Sequence, residues 1–279
     1  MTDYVLPVVI AAFLWWFSTG LVLLLDGLPR TTYRWSLVAS SGLALIGLTA
    51  IAATARDAGV LGAYVAFVGS LLVWGWQELT FLTGAITGPR RQGSSARRGS
   101  RQHFTHAVAA ILWHELAIAA GGLLVAAMVW HGSNAIALWT YLVLWTMRTS
   151  AKLNLFLGVR NSNADLLPPH LSYLQTYFQR RPLNALFPLS VAAGTVVVCL
   201  LVQRALVPEA SAGQIAGLML VAALMALAVI EHWLMVLPVN INALWQWAMR
   251  TPADAVTPTI APAIAPAIAP AIAPNRERP

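Results

Sequence analysis

Seven apolar stretches dominate this sequence, and each is long enough to cross a membrane as one helix. A hydrocarbon core about 30 Å thick requires roughly 20 helical residues. The stretches are apolar on all sides, whereas the strands of a transmembrane barrel alternate over about 10 residues. We therefore predict an all-α fold, a polytopic membrane helical bundle of about seven transmembrane helices. The predicted spans lie near residues 5–25, 35–55, 60–84, 104–130, 135–157, 185–206 and 214–238.

The composition agrees with a membrane protein and sets the domain boundaries. The chain is 58% hydrophobic and only 10% charged, whereas a soluble domain carries about 25% charged residues. Because the connections between spans are short, residues 1–250 are predicted to form one transmembrane domain. Residues 251–279 contain IAPAIAPAIAPAIAP, in which proline at every fourth position prevents a regular helix. This segment is predicted to be a disordered Ala/Pro-rich cytoplasmic tail.

Lysine and arginine are distributed unevenly among the predicted loops. If the N-terminus lies outside, 15 of the 17 Lys and Arg residues fall on the inner side, and only Arg56 and Arg204 fall on the outer side. Cytoplasmic loops carry an excess of basic residues, so we predict a periplasmic N-terminus and a cytoplasmic C-terminus. The net charge of +7 then follows from topology and from attraction to anionic lipid. No nucleic-acid partner is required to explain it.

Polar side chains fall in one layer inside the cytoplasmic half of the predicted membrane. At 1.5 Å per helical residue, they lie roughly 9–15 Å from the inner surface. Ionisable residues inside a membrane are costly and are therefore functional candidates. The cations can compensate the carboxylates, since an unpaired buried charge costs several kcal/mol. The layer contains Glu78, His114, Glu115, Arg148, Lys152, Glu231 and His232, with Gln77 and Asn154 as further hydrogen-bonding groups.

Four interpretations of this layer remain open from the residues alone. It can be a structural polar cluster that fixes helix register, a pocket for an anionic or tetrapyrrole-like ligand, a metal site, or a proton path. Histidine can ligate a chlorin magnesium or a haem iron, and arginine and lysine can hold acidic groups.

A metal site has the right residue types but the wrong spacing. A di-iron site in a helical bundle uses Glu-x-x-His, with both side chains on one face. Here histidine and glutamate are adjacent in sequence, so they point about 100° apart on a helix. The identity of any metal therefore stays unknown. The candidate ligands are Glu78, His114, Glu115, Glu231 and His232.

Two longer inner loops connect the spans. The Arg/Gly/Ser-rich stretch GPRRQGSSARRGSRQ, residues 88–102, is predicted to be mobile. In the loop near 158–184, Pro168 and Pro169 can open a short helix with apolar residues at spacings of three and four. We predict that this helix lies on the inner leaflet.

Several sequence blocks occur together in this chain. They are WGWQELTFLTG followed by GPRR (74–91), WHEL (113–116), LWTMRTSAKLNLFLGVRN (144–161), HLSYL followed by RRPLNALFP (170–188), and EHWLMVLP (231–238). Together these blocks resemble the PuhE family of photosynthetic complex assembly proteins from purple phototrophic bacteria. The resemblance covers about residues 1–250 and excludes the tail. It implies a membrane protein that works in assembly of the reaction centre and core antenna, or in bacteriochlorophyll supply, and it implies no catalytic mechanism.

We therefore expect a multi-pass protein of the bacterial inner (cytoplasmic or intracytoplasmic) membrane that assembles photosynthetic reaction centre and light-harvesting complexes. The expected partners are the lipid bilayer and either reaction-centre and core-antenna subunits or bacteriochlorophyll-synthesis proteins. The expected ligand is bacteriochlorophyll, a precursor or a related tetrapyrrole, and no catalytic residue is assigned. The alternatives are a membrane metalloenzyme acting on a tetrapyrrole or isoprenoid, and a ligand-free scaffold for membrane helices. In the pigment hypothesis His114 and His232 are ligands, Glu78, Glu115 and Glu231 are counter-charges, Arg148 and Lys152 hold an acidic group, and Asn154 donates a hydrogen bond.

Overall fold

The computed structural model describes residues 2–162, 167–239 and 241–249. All the regular secondary-structure elements in these ranges are helices, and loops connect them. No β-strand forms among the described residues, where a single isolated bridge joins Val159 to Arg180. The long helices coincide with the predicted apolar stretches. They are α1 (Thr2–Asp26), α2 (Tyr33–Thr54), α3 (Val60–Leu82), α4 (Arg101–Val129), α5 (Ile136–Leu157), α6 (Leu186–Ala205) and α7 (Ala212–Leu234).

Six of these helices are long and apolar enough to cross a membrane, which identifies a multi-pass membrane protein. α5 is the exception, because Arg148 and Lys152 lie in its second half. The apolar spans are Thr2–Asp26, Arg30–Thr54, Val60–Leu82, Arg101–Val129, Leu186–Ala205 and Ala212–Leu234.

Helices α3 and α7 form the centre of the bundle. Half of the residues in the most apolar 18-residue stretch of α3 and of α7 are buried, compared with 11% in the corresponding stretches of α1 and α6. α3, α5 and α7 contact one another, α2 packs on α3, and α1 and α6 pack on α7. α4 packs mainly on α5. α5 therefore has protein neighbours on several sides, and this arrangement surrounds its two cations with other helices.

The contact between α2 and α3 depends on two facing glycines. A Cβ on Gly69 would lie 2.8 Å from the carbonyl oxygen of Gly47, and a Cβ on Gly47 would lie 2.6 Å from the carbonyl oxygen of Gly69. Small residues let membrane helices approach closely and gain van der Waals contact. The pair therefore fixes the crossing point of these two helices.

The predicted short helix in the second inner loop is confirmed as the 3₁₀ helix Pro169–Tyr177. Its apolar side chains Leu171 and Leu174 are buried in one cluster with Phe81, at the C-terminal end of α3 and the N-terminal half of α4. The helix therefore packs on the protein rather than on the lipid leaflet, because the bundle itself offers an apolar surface there.

The Arg/Gly/Ser-rich loop, residues 88–102, is tied to this 3₁₀ helix. Arg90 donates from Nε to Tyr177 Oη at 3.0 Å, and the backbone N–H of Ser94 donates to Thr176 Oγ1 at 3.1 Å. These contacts join the two loops into one cover over the C-terminal end of α3 and the N-terminal end of α4.

The segment after α7 folds back against α1. Trp245 Nε1 donates to the carbonyl oxygen of Trp16 at 3.1 Å, and Trp16 Nε1 donates to that of Leu244 at 2.8 Å. Residues up to Met249 belong to one compact unit. The predicted tail, residues 251–279, lies outside the described residues.

Candidate functional site

Two ion pairs connect α5 to its neighbours inside the bundle. Arg148 donates from Nη2 to Glu78 Oε2 of α3 at 2.8 Å, and Lys152 donates from Nζ to Glu115 Oε1 of α4 at 2.5 Å. The two cations lie four residues apart on one face of α5, and each reaches a different helix. The side chain of Glu78 is 13% exposed and that of Lys152 is 19% exposed. The side chain of Arg148 is 41% exposed. Pairing offsets part of the desolvation cost of the charges that are more enclosed.

Glu231 of α7 stands apart from these pairs, on the outside of the bundle. Its Oε1 accepts a hydrogen bond from Trp15 Nε1 of α1 at 2.7 Å. It lies within electrostatic range of Arg148 and Glu78, but Arg148 bonds to Glu78. Among the described residues, the polar layer therefore holds three carboxylates and two cations, and Glu231 is the carboxylate that forms no ion pair.

His232 is buried and fully hydrogen-bonded. Its Nδ1–H donates to the carbonyl oxygen of Ala228 at 2.8 Å, so in the neutral ring Nε2 accepts from the Ser150 hydroxyl at 2.9 Å. A carbonyl oxygen can only accept, and this fixes the tautomer. His232 thereby joins α7 to α5.

Asn154 extends this network to α6. Its Nδ2 donates to the carbonyl oxygen of Ser150 at 3.0 Å and to Ser190 Oγ at 3.2 Å. Its Oδ1 accepts from Asn184 Nδ2 at 3.0 Å. Asn184 Oδ1 in turn accepts the backbone N–H of Leu186 at 2.9 Å, so it also caps the start of α6. The network therefore links three helices through short polar side chains.

His114 of α4 is buried like His232, but its ring forms no hydrogen bond. Its ring is fully buried and stacks on Phe81 with 4.4 Å between the ring centres. Neither ring nitrogen has a hydrogen-bond partner. Its backbone N–H donates to the carbonyl oxygen of Thr87, in the loop between α3 and α4, at 2.9 Å. The loop therefore packs directly against α4 at the level of the polar layer.

Other buried polar atoms near the ion pairs also lack partners. They are Gln77 Oε1, Glu78 Oε1 and Arg148 Nε. Gln77 is held by its amide nitrogen, which donates to the carbonyl oxygen of Ala117 at 3.1 Å. Together with His114, these atoms place unused donors and acceptors on α3, α4 and α5. Buried polar groups of this kind are commonly satisfied by water, an ion or a ligand.

The cover formed by the two loops contributes a further histidine, His170, at the start of the 3₁₀ helix. Its Nε2–H donates to the carbonyl oxygen of Leu82 at 2.8 Å, and its ring lies against Gly84. Gly84 has a φ of +78°, a left-handed conformation that favours glycine. Burial lowers the pKa of His170 below its usual range, and the nearby Arg30 acts in the same direction. The neutral ring therefore packs against the C-terminal end of α3.

The structure brings the predicted site residues together as separate groups. Glu78, Glu115, Arg148 and Lys152 form the two ion pairs, while His232 and Asn154 share Ser150. Within the described residues, no three His, Cys, Asp or Glu side chains are arranged to hold a metal ion.

Sequence reasoning missed several members of the site. Ser150, Ser190 and Asn184 are uncharged and therefore did not stand out as ionisable residues inside a membrane. Asn184 did carry a usable signal, because asparagine two residues before an apolar helix is typical of an N-terminal cap. Trp15 carried no signal that distinguishes it from the other tryptophans.

The fold and the buried polar layer define a multi-pass helical membrane protein with paired charges inside its bundle. The chain belongs to the family described as "Protein of unknown function (DUF3623)", whose model matches residues 1–256.

A relative from Rhodobacter capsulatus supports the same assignment. It is 38% identical over 255 residues, which cover 89% of this chain and 93% of the relative, and it is named "Uncharacterized 30.4 kDa protein in puhA 5'region". No solved structure matches this chain.

Proposed function

We propose that this protein is an integral membrane assembly factor for photosynthetic reaction centre and light-harvesting complexes. The observation that carries the proposal is the relative's printed name, which places it in the 5' region of puhA. The resemblance of the sequence blocks to the PuhE family points to the same process. The protein acts in the bacterial inner membrane, where its lipid-facing helices can meet the subunits being assembled.

The proposed topology has seven transmembrane helices, with a periplasmic N-terminus and a cytoplasmic C-terminus. α5 is the least apolar of the seven, but it packs against α3, α4 and α7 and so is shielded from lipid on several sides. Exposed arginines of the two inner loops mark the cytoplasmic side by the positive-inside rule. They are Arg91, Arg97, Arg98, Arg101, Arg160, Arg180 and Arg181.

The two ion pairs and the Asn154 network support a scaffold function. They connect α3, α4, α5, α6 and α7 through specific side chains at one level of the bundle. Polar contacts of this kind specify helix register, because a shifted helix would leave charges unpaired. A rigid inner half lets the protein present its outer faces in a fixed arrangement to partner helices.

His114 favours a second activity, the binding of bacteriochlorophyll or a precursor. A magnesium chlorin accepts one axial ligand from a neutral imidazole nitrogen. His114 fits this requirement by donor type, since both its ring nitrogens lack partners, whereas both nitrogens of His232 are bonded. Because the His114 ring is fully buried, access requires Phe81 or the loop at Thr87 to move.

The assembly function is tested by deleting the gene of the Rhodobacter capsulatus relative and complementing the deletion with this chain. The expected result is a loss of near-infrared absorption from assembled complexes in isolated membranes, with recovery on complementation. Full absorption in the deletion strain would refute the assembly function.

Pigment binding is tested separately by purifying the protein in mild detergent and recording its absorption spectrum. Chlorin bands are expected in the wild type and absent in His114→Ala. The matched control is His131→Ala, because His131 is exposed in the loop between α4 and α5. A spectrum that is the same in both variants would exclude His114 as the ligand.

A further inference from the structure

Two arginines are held next to each other where the chain leaves α5. Val159, just beyond the end of that helix, forms a parallel bridge with Arg180. The backbone N–H of Val159 donates to the carbonyl oxygen of Gln179 at 3.2 Å, and that of Arg181 donates to the carbonyl oxygen of Val159 at 3.3 Å. Arg160 and Arg181 each follow the bridged pair by one residue, so their side chains leave the same side of the two segments.

Neighbouring contacts fix the backbone of both segments. Asn184 Nδ2 donates to the carbonyl oxygen of Gly158 at 2.9 Å, and the backbone N–H of Asn161 donates to the carbonyl oxygen of Met235 at 2.9 Å. The side chain of Arg181 lies against Gly158, where a Cβ would meet Arg181 Cγ at 2.8 Å. The absence of a side chain at Gly158 therefore leaves the room that Arg181 occupies, beside the end of α5.

The charges of these two arginines are not used inside the protein. Arginine stays protonated in proteins, and both side chains are exposed. Within the described residues, neither Arg160 nor Arg181 forms an ion pair, since the ion pairs there belong to Arg148 and Lys152. Like charges on neighbouring segments destabilise each other, so an anion that contacts both guanidinium groups would stabilise this arrangement. The planar guanidinium group matches the oxygens of a phosphate.

Apolar side chains of α5 adjoin the arginines. Leu153 and Leu157 lie four residues apart on one face of the helix, and they are 39% and 37% exposed. Gly158, against which Arg181 lies, directly follows Leu157. An exposed apolar strip therefore runs along the last turns of α5 to the position of Arg181. A molecule with a phosphate at one end and an apolar chain at the other matches this order of side chains.

We propose that Arg160 and Arg181 bind the phosphate of an anionic phospholipid whose acyl chain packs on Leu153 and Leu157. The guanidinium groups donate hydrogen bonds to the phosphate oxygens, as in other basic pockets that bind lipid headgroups at a membrane surface. A zwitterionic lipid brings its own ammonium group close to the arginines, so an anionic headgroup is bound more tightly. Free phosphate or an acidic protein segment would match the charge but would leave the leucines uncovered.

This inference does not depend on the assembly function, because it concerns a lipid site and is tested on the isolated protein. The full chain in mild detergent is mixed with equal amounts of phosphatidylglycerol and phosphatidylcholine that have the same acyl chains. Native mass spectrometry counts the lipids that stay bound. The wild type is expected to retain phosphatidylglycerol about tenfold more than phosphatidylcholine, in line with charge-assisted hydrogen bonds to one headgroup. Equal retention of the two lipids would overturn the proposal.

Matched variants assign the preference to these two arginines. The double variant Arg160→Gln, Arg181→Gln should lose the preference. The double variant Arg97→Gln, Arg98→Gln removes the same charge from exposed residues of the loop between α3 and α4, and it should keep the preference. An equal loss in both, or a preference that persists in the first, would overturn the proposal. Asp165→Asn, outside the described residues, should change nothing, and a large gain in binding would show that Asp165 neutralises the arginines and would also overturn it.

Two competitors distinguish the lipid from other anions. Inorganic phosphate and a hexaglutamate peptide are each added to the wild type loaded with phosphatidylglycerol, before the bound lipids are counted. The lipid should stay bound, because neither competitor covers the leucine strip. Displacement by phosphate would assign the site to a free phosphate, and displacement by the peptide would assign it to an acidic protein segment. Either result would overturn the proposal.

A photocrosslinking experiment needs no variant of the arginines. Phosphatidylglycerol that carries a diazirine near the glycerol end of its acyl chain should label residues 153–157 more than phosphatidylcholine with the same group does. Val196, which is 56% exposed on α6, provides the control, and the two lipids should label its surroundings equally. Equal labelling of residues 153–157 by the two lipids would contradict the proposal, even if the double variant does not fold.

Discussion

Lys152 Nζ lies 2.5 Å from Glu115 Oε1 and joins α5 to α4 inside the bundle. Both side chains are largely enclosed, with 19% and 26% of their surface exposed. The pair is one turn of α5 away from the Arg148–Glu78 pair, which joins α5 to α3. One face of α5 is therefore fixed against two helices by charge.

The first prediction concerns this pair. Glu115→Gln and Lys152→Met should each lower the free energy of unfolding by about 3 kcal/mol, because each leaves one enclosed charge without its partner. The double variant should lose less than the sum of the two, since it removes both charges. The coupling energy is measured by detergent titration of the reconstituted protein. Additive losses would show that the contact does not stabilise the fold, and Arg204→Met at an exposed position provides the control.

The second prediction concerns the glycine contact between α2 and α3. Gly69→Ala should cost about 2 kcal/mol, because its new methyl group would overlap the carbonyl oxygen of Gly47 and push the helices apart. Gly75→Ala is the matched control on the same helix, where a Cβ meets nothing within 4 Å. Alanine there should be neutral or raise stability by about 0.5 kcal/mol. Thermal unfolding in detergent measures both, and equal effects would contradict the close approach.

Much of the fold follows from the sequence, because lipid leaves little freedom to a long apolar stretch. The positions of Glu78, Glu115, Arg148 and Lys152 on their helices placed them at one depth, and charge compensation then predicted their pairing. Depth alone did not decide which helix each cation reaches, since that depends on helix rotation and on the order of neighbours in the bundle.

The same limit explains the rest of the site. Glu231 lies at the predicted level but on the outside, because the burial of a helix face depends on which helices cover it. Leu171 and Leu174 have the spacing of a membrane-surface helix, yet they pack on Phe81. Apolar periodicity indicates that a face is covered and does not identify what covers it.

The third prediction concerns Asn184, which links the ends of α5 and α6. Its Nδ2 donates to the carbonyl oxygen of Gly158 at 2.9 Å and to Asn154 Oδ1 at 3.0 Å, while its Oδ1 caps α6. Asn184→Ala should cost about 2–3 kcal/mol, the sum of a lost cap and unpaired buried groups. Asn184→Asp retains the cap oxygen and loses the donors. The amide hydrogens at the start of α6 should therefore exchange more slowly in Asn184→Asp than in Asn184→Ala. Equal exchange rates in the two variants would argue against the cap.

The fourth prediction separates structure from function at His114. Leucine is apolar and similar in volume, so His114→Leu removes two buried polar atoms that lack partners. Stability should stay the same or rise by about 1 kcal/mol. If His114 serves a ligand, the same variant should lose complementation of the deletion strain despite normal folding. A variant that is both stable and fully active would show that the histidine has no functional role.

The fifth prediction is a pH dependence that arises at His170. Its pKa is lowered in the folded protein, first by burial and also by Arg30, against a weaker opposing effect of its hydrogen bond to Leu82. The unfolded chain therefore binds a proton more readily than the folded protein does. This contribution to stability is fully present above a pH of about 6.5, the ordinary pKa of histidine, and is lost as the pH falls toward the lowered pKa.

His170→Asn can keep a donor for Leu82 but cannot titrate. Lowering the pH from 7.5 to 5 should therefore reduce the midpoint temperature of thermal unfolding more in the wild type than in the variant. Parallel losses in the two proteins would assign the acid sensitivity to other groups.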